Sequence, residues 1–251
     1  MKNYKITIQY DGTRYSGWQV QKCTEDTIQG KIEHVLSTLV NHPVEIMGSG
    51  RTDAGVHAIG QVANFHIEDE YDKEQVFLWL NSHLPKDIAI TEIEQVPERF
   101  HSRFSAVKKT YVYRIHTGIA SNVFERKYVY DYGPQLDVER MRKAAKLLEG
   151  EHDFKSFCGN KRMKKSTVRT IYSIDIEELS DEIRISYTGN GFLMNMVRIL
   201  TGTLIEVGDG RRTPESMTEI IEKKDREQAG YTAPPQGLVL KKVYYGTMDS
   251  L

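Results

Sequence analysis

Two cysteines in 251 residues, Cys23 and Cys158, are too few for a disulfide framework or a thiolate zinc site. Long apolar runs are missing as well. No stretch approaches the ~20 apolar residues that a membrane helix needs. The start, Met1-Lys2-Asn3-Tyr4-Lys5-Ile6-Thr7-Ile8, alternates polar and apolar residues and lacks the apolar core of a signal peptide. A cytoplasmic protein with reduced thiols and no membrane contact is the expectation. The eight histidines show no HxxxH or HxH spacing, so no metal site is expected. No linker is rich in Pro, Gly or Ser, and no residue-level repeat is visible. With 39% hydrophobic and 27% charged residues the chain is ordinary for a globular protein, which excludes disorder of the whole.

Net charge is also missing: the formal total is −1. The distribution is uneven nonetheless. From Gly159 to Tyr172 there is no acid, while Lys161, Arg162, Lys164, Lys165 and Arg169 all fall there. A second run holds Arg99, Arg103, Lys108, Lys109 and Arg114 against Glu98 alone. Acids gather in Glu68-Asp69-Glu70 with Asp72 and Glu74, and again between Asp175 and Glu182. A neutral chain can still present one positive face to a polyanion. Solvated loops would give the same runs, so the pattern alone leaves both readings open.

Residues 4–10 read as a strand ending in the turn signal Asp11-Gly12. Ile28, Ile32, Val35, Leu36 and Leu39 share one helical face over 27–40, with Asp26 or Thr27 as cap. A strand follows over Val62–Ile67, a helix over Gln75–His83 and a strand over Ile88–Val96. The second half repeats the rhythm with a strand around Tyr111-Val112-Tyr113-Arg114-Ile115 and a helix capped by Asp137 and closed by Gly150. Strands at 168–178 and 183–188, a buried helix over 192–206, a short helix opened by Thr213-Pro214 and a last strand over Leu238–Tyr245 complete it. Hairpin-like pairs argue for an α+β fold with antiparallel sheet, with halves 1–105 and 106–251.

One segment stands apart: Gly48-Ser49-Gly50-Arg51-Thr52-Asp53-Ala54-Gly55-Val56-His57-Ala58. Three glycines between strand-like stretches imply a tight loop against which something packs closely. Asp53 takes the place of the third glycine of a dinucleotide fingerprint, and the Gly-Lys-Ser/Thr ending of a phosphate loop is absent. What remains is a loop presenting Arg, Thr, Asp and His. By composition a structural turn with a capping Asp accounts for it equally well.

Gly50 through Ala58, followed by Gln61-Val62 and Phe65, resembles the signature of the tRNA pseudouridine synthase A family. Tyr10-Asp11-Gly12-Thr13 through Gly17-Trp18-Gln19 is similar to the family's opening. Phe100-His101-Ser102-Arg103-Phe104-Ser105-Ala106, Gly150-Glu151-His152-Asp153-Phe154, Val168-Arg169-Thr170-Ile171, Phe192 through Arg198, Val207-Gly208-Asp209-Gly210 and Ala233-Pro234-Pro235-Gln236-Gly237-Leu238 resemble further blocks. The likeness runs in order through nearly the whole chain.

The resemblance implies Asp53 as catalytic nucleophile, Arg198 as its paired arginine and Tyr111 as the ring that stacks on the target base. It implies Arg51 as the residue holding the flipped nucleotide, with His57 beside it in the substrate site. It further implies two ferredoxin-like or RRM-like halves forming one continuous, mainly antiparallel sheet, with helices on one side and the active cleft between the halves. A homodimer that grips the anticodon arm and isomerises uridines at tRNA positions 38–40, with no cofactor, follows from the same likeness. Lys161, Arg162, Lys164, Lys165 and Arg169 become candidates for RNA backbone contacts. The chemistry is consistent with these roles: a carboxylate splits the difficult bond exchange into two steps, and an arginine fixes its direction. The rival readings are a non-catalytic RRM-like RNA-binding module, which gives no reason for the Arg-Thr-Asp loop, and a hydrolase of the glycosidic bond.

Overall fold

The computed structural model describes residues 1–68, 70–133 and 135–246; Asp69 of the acidic run, Pro134 and residues 247–251 lie outside the described residues. The chain divides into two compact units, residues 1–107 together with the chain end from Leu240, and Lys108–Val239. Each is built of helices and mainly antiparallel strands.

In the first unit, strand β1 (Lys2–Tyr10) pairs antiparallel with β3 (His57–Ile67) on one side and β4 (Ile88–Val96) on the other; the two-residue β2 (Met47–Gly48) pairs with β3. The period-2 pattern of β1 puts Tyr4, Ile6, Ile8 and Tyr10 inside, while Gln9 is exposed. Register is regular from Lys2↔Ile67 to Ile8↔Gln61 and then shifts, so that Tyr10 faces Ala58. The extra residue is on β3, at Ile59-Gly60, and makes a β-bulge there. Gly60 is pressed against the last strand: a Cβ on it would lie 2.5 Å from the Lys241 carbonyl oxygen.

Helix α1 (Ile28–Val40) starts where Thr27 caps it, its hydroxyl accepting from the Gly30 N–H at 3.2 Å. Its buried stripe is Ile28, Ile32, Val35, Leu36 and Val40, so Val40 and not Leu39 completes the face. Helix α2 (Lys73–His83) begins two residues before the expected Gln75 because Asp72 and Gln75 form a reciprocal capping box. The Trp79 indole N–H donates to the Val35 carbonyl at 3.0 Å, tying α2 to α1.

The second unit carries β5 (Ala106–His116), β6 (Tyr130–Asp131), α3 (Val138–Leu147), β7 (Gly150–Asp153), β8 (Val168–Glu178), β9 (Glu182–Gly189), α4 (Met196–Gly208) and α5 (Ser216–Lys223). The antiparallel order is β5-β9-β8-β7, with β6 parallel to the end of β5. The last strand, β10 (Leu238–Tyr245), lies beside β3 in the first unit from Leu240 onward. The fold is therefore α+β with a mixed, mainly antiparallel set of strands.

Two expectations in this unit are corrected. The buried helix begins at Met196 and runs to Gly208, leaving Phe192 outside it. Asn195 sits in the left-handed region (φ 59), which breaks helical continuity immediately upstream, and the Met196 N–H bonds the Leu193 carbonyl in a turn. Pro214 is likewise not the first residue of a helix: α5 starts at Ser216, and Pro214 lies in the turn before it. No helix among the described residues is long and apolar enough to cross a membrane.

Candidate active site

The loop from Ser49 to Val56 is fixed by the segment that follows β1. Asp11 caps a short turn over Gly12–Arg14, its carboxylate accepting from the Thr13 N–H at 2.9 Å. From there the chain runs under the loop backbone to backbone. The Trp18 N–H donates to the Thr52 carbonyl at 3.1 Å and the Gly55 N–H to the Tyr15 carbonyl at 3.3 Å, while the Val56 N–H closes the loop on the Asp53 carbonyl at 3.2 Å. At Gly17 (φ +97) a Cβ would lie 2.7 Å from the Thr52 oxygen, and at Gly12 it would lie 2.0 Å from the Val56 oxygen. Only glycine permits both approaches.

The far end of the loop is held equally well. The Ser49 N–H donates to the Val62 carbonyl at 2.7 Å, the Ser49 hydroxyl donates to Gln61 Oε1 at 2.7 Å, and Gln61 Nε2 donates to the Gly50 carbonyl at 3.0 Å. The Tyr10 hydroxyl and Thr52 Oγ1 are 2.8 Å apart in a buried contact. Burial pushes the Tyr10 phenol well above its usual value, so it remains protonated at any working pH.

What this scaffold presents is Arg51, exposed; Asp53, half-buried; and Ala54, exposed. His57 is buried, and its Nδ1 accepts from the Gly12 N–H at 3.0 Å. That bond needs an unprotonated Nδ1, so the ring proton sits on Nε2. The 3.3 Å approach of Asp11 Oδ1 to the same nitrogen is then a contact and not an ion pair. Arg51, Asp53 and His57 are thus brought together on one braced loop.

Tyr111 and Arg198 belong to the second unit. Tyr111 and Tyr113 share one face of β5, opposite Tyr187 and Ile185 of β9. Tyr111 is nearly buried, and the Phe192 ring meets it edge-on, centroids 5.3 Å apart at 84°. Helix α4 lies along this face: the Tyr187 hydroxyl and Thr201 Oγ1 are 2.9 Å apart. Arg198, one turn earlier on α4 and half-buried, donates from Nε to the Ala233 carbonyl at 2.7 Å, while the Ala233 N–H donates to the Arg198 carbonyl at 3.1 Å. The reciprocal pair orients the guanidinium. The Tyr113 hydroxyl donates to the Pro234 carbonyl at 2.6 Å; burial pushes this phenol up, and the nearby Arg198 charge pulls it partly back. Sequence reasoning gave Phe192 to a helix and missed it as the partner of Tyr111. It also missed the tether at Ala233, because a contact between residues 35 apart leaves no local pattern.

The basic segment leaves the same region. Gly159 N–H donates to the Met194 carbonyl at 2.8 Å and the Met163 N–H to the Asn160 carbonyl at 3.2 Å, anchoring its first half. Lys161, Arg162, Lys164 and Lys165 are all exposed, and Lys161 Nζ pairs with Glu227 at 2.9 Å. Arg169 is half-buried, donating to the carbonyls of Ser166 (3.0 Å) and Val168 (2.6 Å), and burial draws its guanidinium below the usual value. Among the described residues no group of three His, Cys, Asp or Glu side chains could hold a metal ion.

Residues 6–105 and 144–246 match the family model described as tRNA pseudouridine synthase. A "tRNA pseudouridine synthase A" of Bacillus sp. (strain KSM-64) is 50% identical over 245 residues, covering 98% of this chain and 100% of that one. Proteins named "tRNA pseudouridine synthase A 2" from Bacillus anthracis and Clostridium perfringens (strain 13 / Type A) are each 46% identical with the same coverage. A solved structure titled "Crystal Structure of a Cbf5-Nop10-Gar1 Complex" overlays at a TM-score of 0.35 and 11% identity, over 80% of this chain and 45% of that one, too distant to carry an argument. The family model and these relatives fall in one class, the pseudouridine synthases. The chain belongs to the tRNA pseudouridine synthase family.

Proposed function

We propose that this protein isomerises uridine to pseudouridine at positions 38–40 of the tRNA anticodon arm, with Asp53 as nucleophile. An isomerase acting on tRNA is what family membership gives. The observation that supports the finer reading is the Asp53 carboxylate, half-buried on a loop whose backbone is bonded at both ends. The reaction breaks the bond from ribose C1′ to N1 of uracil and makes one from C1′ to C5; the C5 proton leaves to solvent and N1 takes one up. A fixed carboxylate that bonds covalently in between divides this into two easier steps. The target base lies in a helical arm and must be flipped out, which costs roughly a few kcal/mol. Stacking on Tyr111 offsets about 1–3 kcal/mol of that.

In this reading Arg198, oriented by Ala233, serves the Asp53 carboxylate, and Arg51 holds the flipped nucleotide. His57 contributes to the substrate site through the ring edge that does not bond Gly12. Lys161, Arg162, Lys164, Lys165 and Arg169 follow the RNA backbone. No cofactor has a part in the bond exchange. The family resemblance adds ferredoxin-like halves 1–105 and 106–251, one continuous sheet with helices on one side, a cleft between the halves, a homodimer and a cytoplasmic location. Light scattering at enzymatically active concentrations tests the homodimer, and a monomeric mass refutes it.

The deciding experiment uses tRNA carrying tritium at C5 of uridine. A synthase releases tritium to water and yields pseudouridine, a glycosidic hydrolase frees uracil, and an RNA-binding module does neither. Asp53→Asn is expected to abolish release while tRNA affinity stays within several-fold, because phosphate contacts supply most of the affinity. Turnover by the variant near that of the parent sinks the nucleophile assignment.

A further inference from the structure

The turn His101–Ser105 is anchored at Asn64 of β3, two residues from the Val62 carbonyl that receives the Ser49 N–H and seven from His57. Its backbone is held by polar side chains that are themselves buried. Asn3 Nδ2 donates to the carbonyls of Pro97 (3.1 Å) and Phe100 (3.0 Å), and Asn64 Nδ2 donates to Asn3 Oδ1 at 3.0 Å. Asn64 Oδ1 accepts from the Ser102 N–H at 2.8 Å, and the Tyr245 hydroxyl donates to the Ser102 carbonyl at 2.9 Å. Asn64 and Ser102 are wholly buried. Buried amides are costly unless bonded, and here their bonds are spent on the shape of this one turn. The Phe100 and Tyr245 rings pack below it with centroids 5.1 Å apart. Within the turn, the Ser105 N–H donates to the His101 carbonyl at 2.9 Å and the Arg103 N–H to His101 Nδ1 at 3.1 Å.

The rigid turn points an aromatic ring at solvent. Phe104 is 80% exposed, and the His101 ring lies against it, centroids 4.3 Å apart. Arg103 and Arg99 are exposed on either side of His101 in sequence, and neither guanidinium is paired with a carboxylate among the described residues. Its neighbours in sequence, Ser102, Arg103 and Ser105, are polar or charged, and the next exposed apolar residue along the chain is Val107.

We propose that Phe104, backed by His101 and flanked by Arg99 and Arg103, is a stacking platform for an unpaired base of the RNA substrate, distinct from the target uridine. An aromatic face accepts any base, and adjacent cations neutralise the backbone on either side. Asn64, which anchors the turn, lies seven residues along β3 from His57, roughly 23 Å of extended strand. The platform therefore grips a distal nucleotide and adds affinity without touching the chemistry. This rests on the tRNA reading above.

The test is tRNA affinity by filter binding, alongside turnover at saturating tRNA, for the parent, Phe104→Ala, Phe104→Leu and Phe104→Trp. The ring is exposed, so the fold tolerates all three. Phe104→Ala and Phe104→Leu are expected to bind about tenfold more weakly, in the range of one lost base stack, with saturated turnover unchanged and Phe104→Trp restoring affinity. Parent-like binding by Phe104→Ala, or by Phe104→Leu, overturns the proposal. A Phe104→Ala variant whose mass by light scattering falls below that of the parent also overturns it, since the ring would then join copies of the chain. A parent that binds tRNA but releases no tritium would sink the functional reading and leave the affinity comparison intact.

Discussion

The Tyr10 hydroxyl and Thr52 Oγ1 meet at 2.8 Å inside the first unit, one at the end of β1 and the other directly before Asp53. The bond joins the rigid sheet to the one loop residue whose backbone also receives the Trp18 N–H. Tyr10→Phe removes it and leaves the Thr52 hydroxyl short of a partner. Loss of a buried bond of this kind costs roughly 1–3 kcal/mol. A lowered Tm with reduced turnover at saturating tRNA and unchanged tRNA affinity is the expected outcome. Unchanged turnover would mean that the backbone bonds alone position Asp53.

Tyr111 offers a ring and a hydroxyl, and the two separate cleanly. Phe192 already meets the ring edge-on, as a wall beside a stacked base would. Tyr111→Ala should cost far more activity than Tyr111→Phe if stacking is the main task. Equal losses in single-turnover tritium release would assign the hydroxyl to removal of the C5 proton.

The exposed basic segment predicts a salt dependence. Each lysine or arginine bonded to phosphate releases counterions, changing the slope of log K against log salt by roughly 0.7 on single strands and about 0.9 on duplex. Replacing Lys161, Arg162, Lys164 and Lys165 with Gln should flatten the slope by roughly 3 if all four engage. Lys161 is already paired with Glu227, so its single replacement should have the smallest effect of the four. An unchanged slope in the quadruple variant would make this segment a solvated loop.

Acid stability tests the support beneath the loop. Burial pushes the Asp87 carboxyl up, but the Tyr15 hydroxyl (2.6 Å) and the Arg14 guanidinium (2.6 and 2.9 Å) outweigh it and hold the group below its usual value of 3.8. A depressed carboxyl contributes stability that is full above its unfolded pKa and lost as pH falls through the folded one. Asp87→Asn should therefore lower Tm at pH 7, by about 2–4 °C per kcal/mol lost for a chain of this size. The gap should narrow as pH falls below 3.8 and through the lower folded-state value. A gap that does not narrow with falling pH in thermal melts would mean that packing, not charge, is what the substitution removes.

Much of this architecture was legible from local pattern. The stripe from Ile28 to Leu36 and the hydroxyl of Thr27 announce α1, and Asp137 announces α3, accepting from the Arg140 N–H at 3.0 Å. The failures have physical causes. Strand β3 begins at His57 and not at Val62 because the bulge at Ile59-Gly60 interrupts the alternation that marks a strand. Strand β7, Gly150-Glu151-His152-Asp153, has no strand-like composition and exists by pairing with Val168–Ile171. Helix α4 was drawn too long because Phe192 and Leu193 continue its apolar spacing, while the left-handed Asn195 that ends it is invisible to periodicity. At the Asp53 loop the motif was recognisable by resemblance. Its bracing by Tyr10, Gly12 and Gly17 was not, since those contacts span some forty residues of sequence.

The bulge at Ile59-Gly60 also sets a count. Tyr10 and Ile8 lie two apart on β1, whereas their partners Ala58 and Gln61 lie three apart on β3. The odd residue works like a frame marker in a text read two letters at a time. Remove Ile59 or Gly60, and the two strands count alike: Ala58 still faces Tyr10, but the local bend and added twist that the bulge puts into β3 are lost. A substitution along β3 leaves that bend in place, whereas a one-residue deletion at the bulge straightens the strand that carries the stem of the Asp53 loop.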